Sequence, residues 1–418
     1  MAPPTDEEKD VLQQALLARL APTPFACTGP LTALTSGTTN FVFRGVLAHP
    51  TADGAPSIVI KHATDYAAAN KDFPLDVTRS LFEETMLNAL NDFPRERERP
   101  TTSFDRQAAP FEAKAPRLLW FDRATNTQVL EDFPAAVDLK SMLLAAVNRG
   151  TETRHRLAQD AQLSRSVGVA LGAWLRSFHA WTSERGAARS ALRLAMAANE
   201  PMRRLKRQIT YDALVRVVAQ FPEALGGRLP ILEAVQAAAA AEFDKTPPAE
   251  REDGGDDDDD DDREDWGIIH GDFWSGNILL PDEDHLKPHA PGQPLFVVDW
   301  EFAQYGRRAY DIGQLLGDLV ERDHFRGAKA SRDVLAGFVS GYFGEAEEKT
   351  KRRRAFRIAI HAGVQLIGCF IRRAPTGPLP GTPEQVRQAI QLGTDFVVKA
   401  WTEDRVWFQN SVLAPLFE

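Results

Sequence analysis

The chain has 418 residues, of which 43% are apolar and 26% are charged, a composition typical of a globular protein rather than a fibrous or disordered one. The net charge of −10 comes from residues 250–265, where acids far outnumber arginines, so no basic field indicates nucleic-acid binding. No apolar stretch reaches the about 20 residues of a membrane span, and Cys27 and Cys369 are too few for a disulfide framework, which predicts a cytoplasmic protein without a membrane partner.

At this length we expect two lobes. Residues 1–24 are predicted to form an N-terminal helical extension, with a helix from about Thr5 whose acidic first turn argues against a signal peptide. Residues 25–134 are expected to form the first lobe, and residues 135–418 the second.

The first lobe shows strand patterns separated by Gly, Pro and Asn turns, with one helical pattern among them. The predicted strands are 31–34, 41–47, 57–62, 117–121 and 127–130, and the predicted helix is Thr78–Leu90. Residues 95–115 are polar and charged and indicate a solvated insertion. The pattern predicts a small antiparallel sheet with one helix.

Helical periodicity dominates the second lobe. The predicted helices are 138–147, 160–182, 199–221, 229–244, 308–322, 330–344, 351–373 and 383–404, interrupted by short strands at 278–280 and 295–299. Residues 247–265 are predicted to be a disordered acidic insertion, because adjacent carboxylates repel one another and bury nothing. The predicted fold class is therefore α+β, with a larger, mainly helical second lobe.

The stretch IIHGDFWSGNILL (268–280) places polar side chains between two apolar runs, which a packed strand would not do. Asp272 and Asn277 are five positions apart in a loop held by apolar segments on both sides. The stretch PLFVVDWEF follows, and Asp299 emerges at the end of its buried strand. If the two short strands pair as a hairpin, the three side chains converge. One such Asp alone is more often a turn or cap residue.

The trio suits phosphoryl transfer, which needs oxygen ligands for Mg²⁺ and a carboxylate that orients the attacking hydroxyl and takes its proton. Protein kinases use an Asp, an Asn five residues later, and a further Asp in this order. The spacing of Asp272, Asn277 and Asp299 is the same. The sequence therefore predicts a kinase.

HGDFWSGN followed by VVDWEFAQYGRRAYDIGQL resembles the aminoglycoside phosphotransferase and choline kinase group, which is similar to protein kinases in fold but carries His-Gly-Asp and lacks Phe-Gly after the metal Asp. The resemblance implies a bilobal protein-kinase-like fold, with ATP as donor, Mg²⁺ as cofactor and a small-molecule hydroxyl as acceptor. It makes Asp272 the catalytic base and Asn277 and Asp299 Mg²⁺ ligands. His270 would shape the loop, and Asp311 would support it from below.

A kinase also needs a loop over the phosphates, a strand Lys and a helix Glu. The turn-forming Ser36, Gly37 and Thr38 fit the loop, although G-x-G-x-x-G is absent and a plain hairpin turn is the alternative. Lys61 ends an apolar strand, where a lysine seldom stands without a partner. Glu83 on the predicted helix is the expected partner and Glu84 is the alternative, because a shift of one position along the helix decides which carboxylate faces the strand.

The segment VLEDFPAAVDLKSML (129–143) fits the hinge between the lobes, with an apolar strand leading into a helix. Backbone groups near Glu131 and Phe133 would then bind the adenine edge. No P-loop or dinucleotide fingerprint competes with this interpretation.

The sequence says least about which small molecule accepts the phosphate. DWEFAQYG and IGCFIRR are similar to methylthioribose kinase, which implies Arg372 and Arg373 as acceptor ligands, although a basic last helical turn is the alternative. The chain differs from that subgroup in keeping Asn277, a position at which the subgroup has a different residue. Trp274 is a candidate for the acceptor pocket or for packing, and Glu301 for the acceptor, for the second metal, or for a solvent-facing position. The alternative to a kinase is a non-catalytic nucleotide-binding protein of the same fold. The sequence indicates no protein partner.

Overall fold

The computed structural model describes residues 3–34, 38–94, 110–145, 160–245, 265–287, 290–344, 348–371 and 379–418. These residues form two compact units, one comprising Met1–Asp92 and Ala115–Ala136 and the other Phe93–Lys114 and Val137–Glu418. The predicted α+β class, with an antiparallel sheet near the N-terminus and a mainly helical remainder, is confirmed. Among the described residues, no helix is long and apolar enough to cross a lipid bilayer.

The first unit is built on a five-stranded antiparallel sheet in the order β1-β2-β3-β8-β7. Its strands are β1 Thr32–Ala33, β2 Phe41–Val46, β3 Ser57–His62, β7 Leu118–Asp122 and β8 Thr127–Glu131. The same unit contains a separate two-stranded hairpin, β4 Tyr66–Ala67 and β5 Asn70–Pro74. Two helices, α1 Asp6–Leu20 and α2 Arg79–Leu90, belong to this unit. Apart from the β4–β5 hairpin, these elements match the predicted ones closely.

Helix α1 begins at a capping box. The Thr5 hydroxyl accepts from the Glu8 N–H at 3.2 Å, and the Glu8 carboxylate accepts from the Thr5 N–H at 2.8 Å. At its other end, Leu16 and Leu20 are buried in a cluster with sheet residues such as Phe43. Because burying one leucine contributes about 1.5–3 kcal/mol, α1 is part of the core of the first unit.

The second unit contains a four-stranded sheet, β6-β12-β11-β9, and the antiparallel pair β10-β13. Its strands are β6 Phe111–Lys114, β9 Ala136–Asp138, β10 Trp266–Ile269, β11 Ile278–Pro281, β12 Gln293–Val297 and β13 Gln304–Arg307. The helices are α3 Leu139–Ala145, α4 Ala161–Trp181, α5 Ala187–Ala197, α6 Glu200–Ile209, α7 Tyr211–Val218, α8 Pro222–Leu225, α9 Leu229–Phe243, α10 Ala309–Arg326, α11 Ala330–Phe343, α12 Glu348–Ile371, α13 Pro383–Trp401, α14 Arg405–Gln409 and α15 Ala414–Phe417.

The prediction of a solvated insertion over 95–115 is wrong at its end. Residues 95–109 lie outside the described residues, but β6 is a strand that pairs in parallel with β12. Phe111 and Ala113 are buried and alternate with Glu112 and Lys114. This period of two is a strand signal that the surrounding charges concealed.

The acidic insertion was predicted to extend to Asp265, but that residue is buried. Its carboxylate accepts from Arg307 at 3.2 Å, and its carbonyl accepts from the Arg308 N–H at 2.9 Å. Residues 247–264 lie outside the described residues. The last acid of the run therefore belongs to the packed structure at the start of β10.

Helices α4 and α11 approach unusually closely. A Cβ atom at Gly168 of α4 would lie 2.1 Å from the Val334 carbonyl oxygen, and one at Gly341 of α11 would lie 2.2 Å from the Val169 carbonyl oxygen. Only residues without a side chain permit this separation. The contact holds His179 of α4, which is buried, against Tyr342 of α11, with 2.9 Å between Nδ1 and the hydroxyl.

Candidate active site

The loop that carries Asp272 lies between β10 and β11. After the loop, Ser275–Asn277 form a short 3₁₀ turn. Strand β11 pairs antiparallel with β12, and the Val298 N–H donates to the Asn277 carbonyl at 3.0 Å. The expected hairpin is present, and it brings the chain near Asn277 to the chain just before Asp299.

Gly271 is required by both space and backbone conformation. Its φ is +81°, in the region that favours glycine, and a Cβ atom would lie 2.2 Å from the Phe302 carbonyl oxygen. The loop after β10 therefore passes directly against the chain that follows Asp299. Any larger residue at this position would separate the two segments.

His270 is buried and connects the same two segments. Its Nδ1 accepts from the Asp272 N–H at 3.2 Å, so its Nε2 carries the proton and donates to the Val298 carbonyl at 3.0 Å. Burial lowers the pKa of His270, against the opposing effect of neighbouring carboxylates. The imidazole is thus a neutral bridge between the loop and the strand end.

Asp311, in the first turn of α10, lies beneath the loop. Its two carboxylate oxygens accept from the backbone N–H groups of His270 at 2.7 Å and Gly271 at 2.9 Å. Burial works to raise the pKa of Asp311, but the nearby imidazole of His179, with Nε2 3.5 Å away, and the backbone N–H of His270 outweigh it, so the pKa lies below its ordinary value. An ionised carboxylate at this place fixes two consecutive peptide groups of the loop.

Asp272 is half-buried, and its carboxylate accepts hydrogen bonds from two side-chain amides. Asn277 Nδ2 lies 3.1 Å from Oδ2 and 3.0 Å from the Asp272 carbonyl oxygen, and Gln314 Nε2 lies 2.6 Å from Oδ1. Because the nitrogen of Asn277 is turned toward Asp272, its carbonyl oxygen is the atom it presents to a cation. The geometry thus joins two of the three predicted site residues directly.

Of the polar stripe of α10 that faces this loop, sequence reasoning identified Asp311 but missed Gln314 and Asp318. Asp311, Gln314 and Asp318 are spaced three and four residues apart, so they share one face of the helix. Asp318 accepts from the N–H of Ser275 at 3.2 Å and from its hydroxyl, and from Arg322 at 2.6 Å. Polar residues at helical spacing among the apolar residues of this helix were the available signal.

Asp299 follows β12 with a φ of +69°, a left-handed conformation that is uncommon outside glycine. A 3₁₀ turn, Trp300–Phe302, continues the chain. Glu301 in this turn is 1% exposed, which excludes the solvent-facing alternative. Its backbone carbonyl accepts from the Asn199 amide at 3.0 Å.

Trp274 is half-buried, between two cationic side chains. Lys140 Nζ lies 5.3 Å and Arg322 Cζ 5.8 Å from its ring centroid. These cation–π contacts favour packing, and they leave the role of Trp274 in acceptor binding a prediction. Arg372 and Arg373 lie outside the described residues.

In the first unit, Lys61 on β3 is buried and donates to both carboxylate oxygens of Glu83 on α2, at 2.8 and 2.7 Å. Glu84 instead accepts from Arg123 at 2.9 and 3.1 Å. The helical step that the sequence left open therefore points Glu83 toward the sheet. A buried, bidentate ion pair of this kind is costly to break on one side only.

The predicted phosphate loop is described only at Thr38, which is exposed and whose carbonyl accepts from the Ala69 N–H at 2.9 Å; Ser36 and Gly37 lie outside the described residues. In the predicted hinge, the Glu131 N–H already donates to the Arg117 carbonyl at 2.9 Å. Phe133 presents a carbonyl that accepts from Arg44 at 3.4 Å. The Glu131 N–H is therefore not free for adenine.

The profile of the phosphotransferase enzyme family matches residues 89–355, more than half of the chain. The chain belongs to this family. The predicted resemblance to the phosphotransferase group and the prediction of a small-molecule kinase are thereby confirmed. The local similarity to methylthioribose kinase stays a prediction.

Two phosphotransferase relatives show how far the similarity extends. Phosphotransferase FrzJ from Cladobotryum sp is 27% identical over 99% of this chain and 98% of its own length. A 4-hydroxytryptamine kinase from Psilocybe cubensis is 23% identical over 75% of this chain and 74% of its own. A solved choline/ethanolamine kinase family protein from Mesorhizobium loti, 13% identical and covering 97% of each chain, gives a TM-score of 0.44.

Proposed function

We propose that this phosphotransferase is an ATP-dependent kinase that transfers the γ-phosphate to a hydroxyl group of a small molecule. The observation that carries the proposal is the side-chain contact between Asp272 and Asn277, in a loop whose peptide groups are held by Asp311. Such a loop holds a carboxylate in one place before the acceptor arrives. Positioning and charge stabilisation are the main contributions to catalysis of phosphoryl transfer.

Asp272 acts as the base in this proposal. As the acceptor oxygen forms its bond to the γ-phosphorus, the bond between that phosphorus and the β–γ bridging oxygen breaks and ADP leaves. The proton of the acceptor hydroxyl passes to the Asp272 carboxylate. Asn277 and Gln314 hold that carboxylate through its two oxygens.

The donor set fits Mg²⁺. Asn277 offers a carbonyl oxygen and Asp299 a carboxylate, the hard oxygen ligands that Mg²⁺ prefers. Mg²⁺ held by these residues would neutralise charge on the phosphates. The left-handed conformation of Asp299 supports this role, because strained residues persist where function requires them.

On the nucleotide side, Lys61 is proposed to contact the α- and β-phosphates, with Glu83 keeping its ammonium group in place. Ser36, Gly37 and Thr38 are proposed to cover the phosphates, and the segment from Glu131 to Phe133 to bind adenine through groups other than the Glu131 N–H. ATP as donor and a cytoplasmic location remain parts of the proposal.

A direct test is Mg²⁺-dependent transfer from ATP across a panel of aminoglycosides, choline, methylthioribose, homoserine and 4-hydroxytryptamine, the last chosen because a relative is named for it. Phosphorylated products are identified by mass spectrometry. Transfer to one of them supports the proposal and names the acceptor class. A protein that neither binds MgATP nor consumes it with any acceptor, or with water, would contradict the proposal.

A further inference from the structure

Gln314 lies on α10, one helical turn after Asp311, and both side chains reach the same loop. Asp311 binds peptide groups of the loop, whereas Gln314 donates to the carboxylate of Asp272 itself, with 2.6 Å between Nε2 and Oδ1. One rigid helix thus fixes both the backbone and the key side chain of the loop.

Lys206 of α6 determines which way the Gln314 carboxamide points. Its ammonium group donates to Gln314 Oε1. An ammonium group can only donate and a carboxylate can only accept, so the oxygen of Gln314 must face Lys206 and the nitrogen must face Asp272. Lys206 and Gln314 are 3% and 4% exposed, which protects both hydrogen bonds from competition by water.

The amide is polarised from both ends, by a cation at its oxygen and an anion at its nitrogen. With Asn277 on Oδ2 and Gln314 on Oδ1, rotation of the Asp272 carboxylate about its Cβ–Cγ bond would break one or both hydrogen bonds. The carboxylate therefore keeps one plane.

We infer that Gln314 is a positioning residue that fixes the carboxylate of Asp272 for proton transfer, and that Lys206 orients Gln314. The inference rests on the proposed role of Asp272 as the base. Gln314 would act through Asp272 rather than by contact with the acceptor or the nucleotide. Its loss should lower the rate of phosphoryl transfer while leaving nucleotide binding intact.

The test compares Gln314→Leu and Lys206→Met with Gln293→Leu. Gln293 is a matched control because it is also buried, but its amide binds the backbone of Lys287, away from Asp272. We expect kcat to fall about 10- to 100-fold in Gln314→Leu and less in Lys206→Met, with KM for ATP and the Kd of MgATP within about twofold of the wild-type values. The rate is measured with the acceptor found in the panel, or as ATP hydrolysis.

A second readout does not depend on activity. The side-chain amide of Gln314 is observed by NMR in protein labelled with ¹⁵N-glutamine, and its signals are assigned by their loss in Gln314→Leu. We expect these signals to shift in Asp272→Ala and in Lys206→Met but not in Gln293→Leu.

The inference is overturned if Gln314→Leu keeps the wild-type kcat, if its kcat falls no further than that of Gln293→Leu, or if the Gln314 amide signals do not respond to Asp272→Ala. Failure of the proposed function has a different result, in which Asp272→Ala itself turns over at the wild-type rate. The NMR comparison then still decides whether Gln314 and Asp272 are hydrogen-bonded in solution.

Discussion

Asn277 and Asp272 are joined by one carboxamide, whose nitrogen lies 3.1 Å from the carboxylate Oδ2 and 3.0 Å from the backbone oxygen of the same aspartate. The contact closes a loop of six residues on itself. It also turns the carbonyl oxygen of Asn277 away from Asp272. The two residues therefore form a single unit, in which the proposed base and a proposed metal ligand fix each other.

Asp311→Asn should destabilise the protein by about 2–4 kcal/mol, because an amide nitrogen would replace an oxygen that now accepts from a buried backbone N–H. Urea unfolding measures the loss. Asp212→Asn is the control, since that carboxylate is partly exposed in its contact with Arg207 and should cost less than about 1 kcal/mol. Equal losses in the two variants would argue against a supporting role for Asp311.

Gly271→Ala should abolish transfer and destabilise the fold, because its Cβ would overlap the Phe302 carbonyl oxygen. Gly292→Ala is a matched control, since Gly292 also has a positive φ, +70°, but nothing lies within 4 Å of its Cβ position. It should lose only about 1–2 kcal/mol from backbone strain. Comparing the activity and the urea midpoints of the two variants separates the effect of steric overlap from that of backbone strain. A Gly271→Ala protein that is still active would refute the close approach of Gly271 to the Phe302 carbonyl.

Glu83→Gln should weaken MgATP binding by about tenfold or more, because it leaves the buried Lys61 ammonium group without its carboxylate. Glu84→Gln tests the neighbouring position, where the carboxylate meets the exposed Arg123, and should bind MgATP as the wild-type protein does. Titration calorimetry measures both. If the two substitutions have the same effect, the proposed role of the Lys61–Glu83 pair fails.

Stability should fall on acidification because of His179. Burial lowers its pKa from 6.5 to about 4, against the raising effect of Asp311. Between these pH values the unfolded chain binds more protons than the folded one, so this contribution is complete above pH 6.5 and is lost as the pH falls toward 4, by about 3 kcal/mol in all. Above pH 6.5 it should not vary.

The measurement compares wild type with His179→Gln by urea unfolding at pH 7.5 and 5.0. The wild-type protein should lose about 2 kcal/mol more than the variant between these pH values, since 1.5 pH units of the window are crossed. An identical pH dependence in His179→Gln would show that the buried imidazole is not the cause.

Much of the fold followed from local patterns. The strands around Lys61 and the helix of Glu83 were predictable, since alternation and helical spacing report directly on which face is buried. Strand β6 was not, because it pairs with β12, which lies far along the chain, and its charged neighbours concealed its alternation. Long-range pairing of this kind leaves little trace in a local window.

The candidate site, like the fold, was only partly predictable from the sequence. The spacing of Asp272, Asn277 and Asp299 is typical of kinases, so the sequence alone predicts these three as site residues. Gln314 and Lys206 carry no such spacing, because Lys206 of α6 meets Gln314 of α10, and Gln314 meets Asp272, only in the folded structure. Residues that act through a neighbour become visible only in three dimensions.

The proposed role of Asp272 as the base is tested by comparing Asp272→Ala with the wild-type protein in Mg²⁺-dependent transfer from ATP, with MgATP binding measured in parallel. We predict that kcat falls by at least about 10²–10⁴-fold while the Kd of MgATP changes little, and that Asp282→Ala, at a partly exposed carboxylate, keeps wild-type turnover. Wild-type turnover in Asp272→Ala would show that Asp272 is not the base.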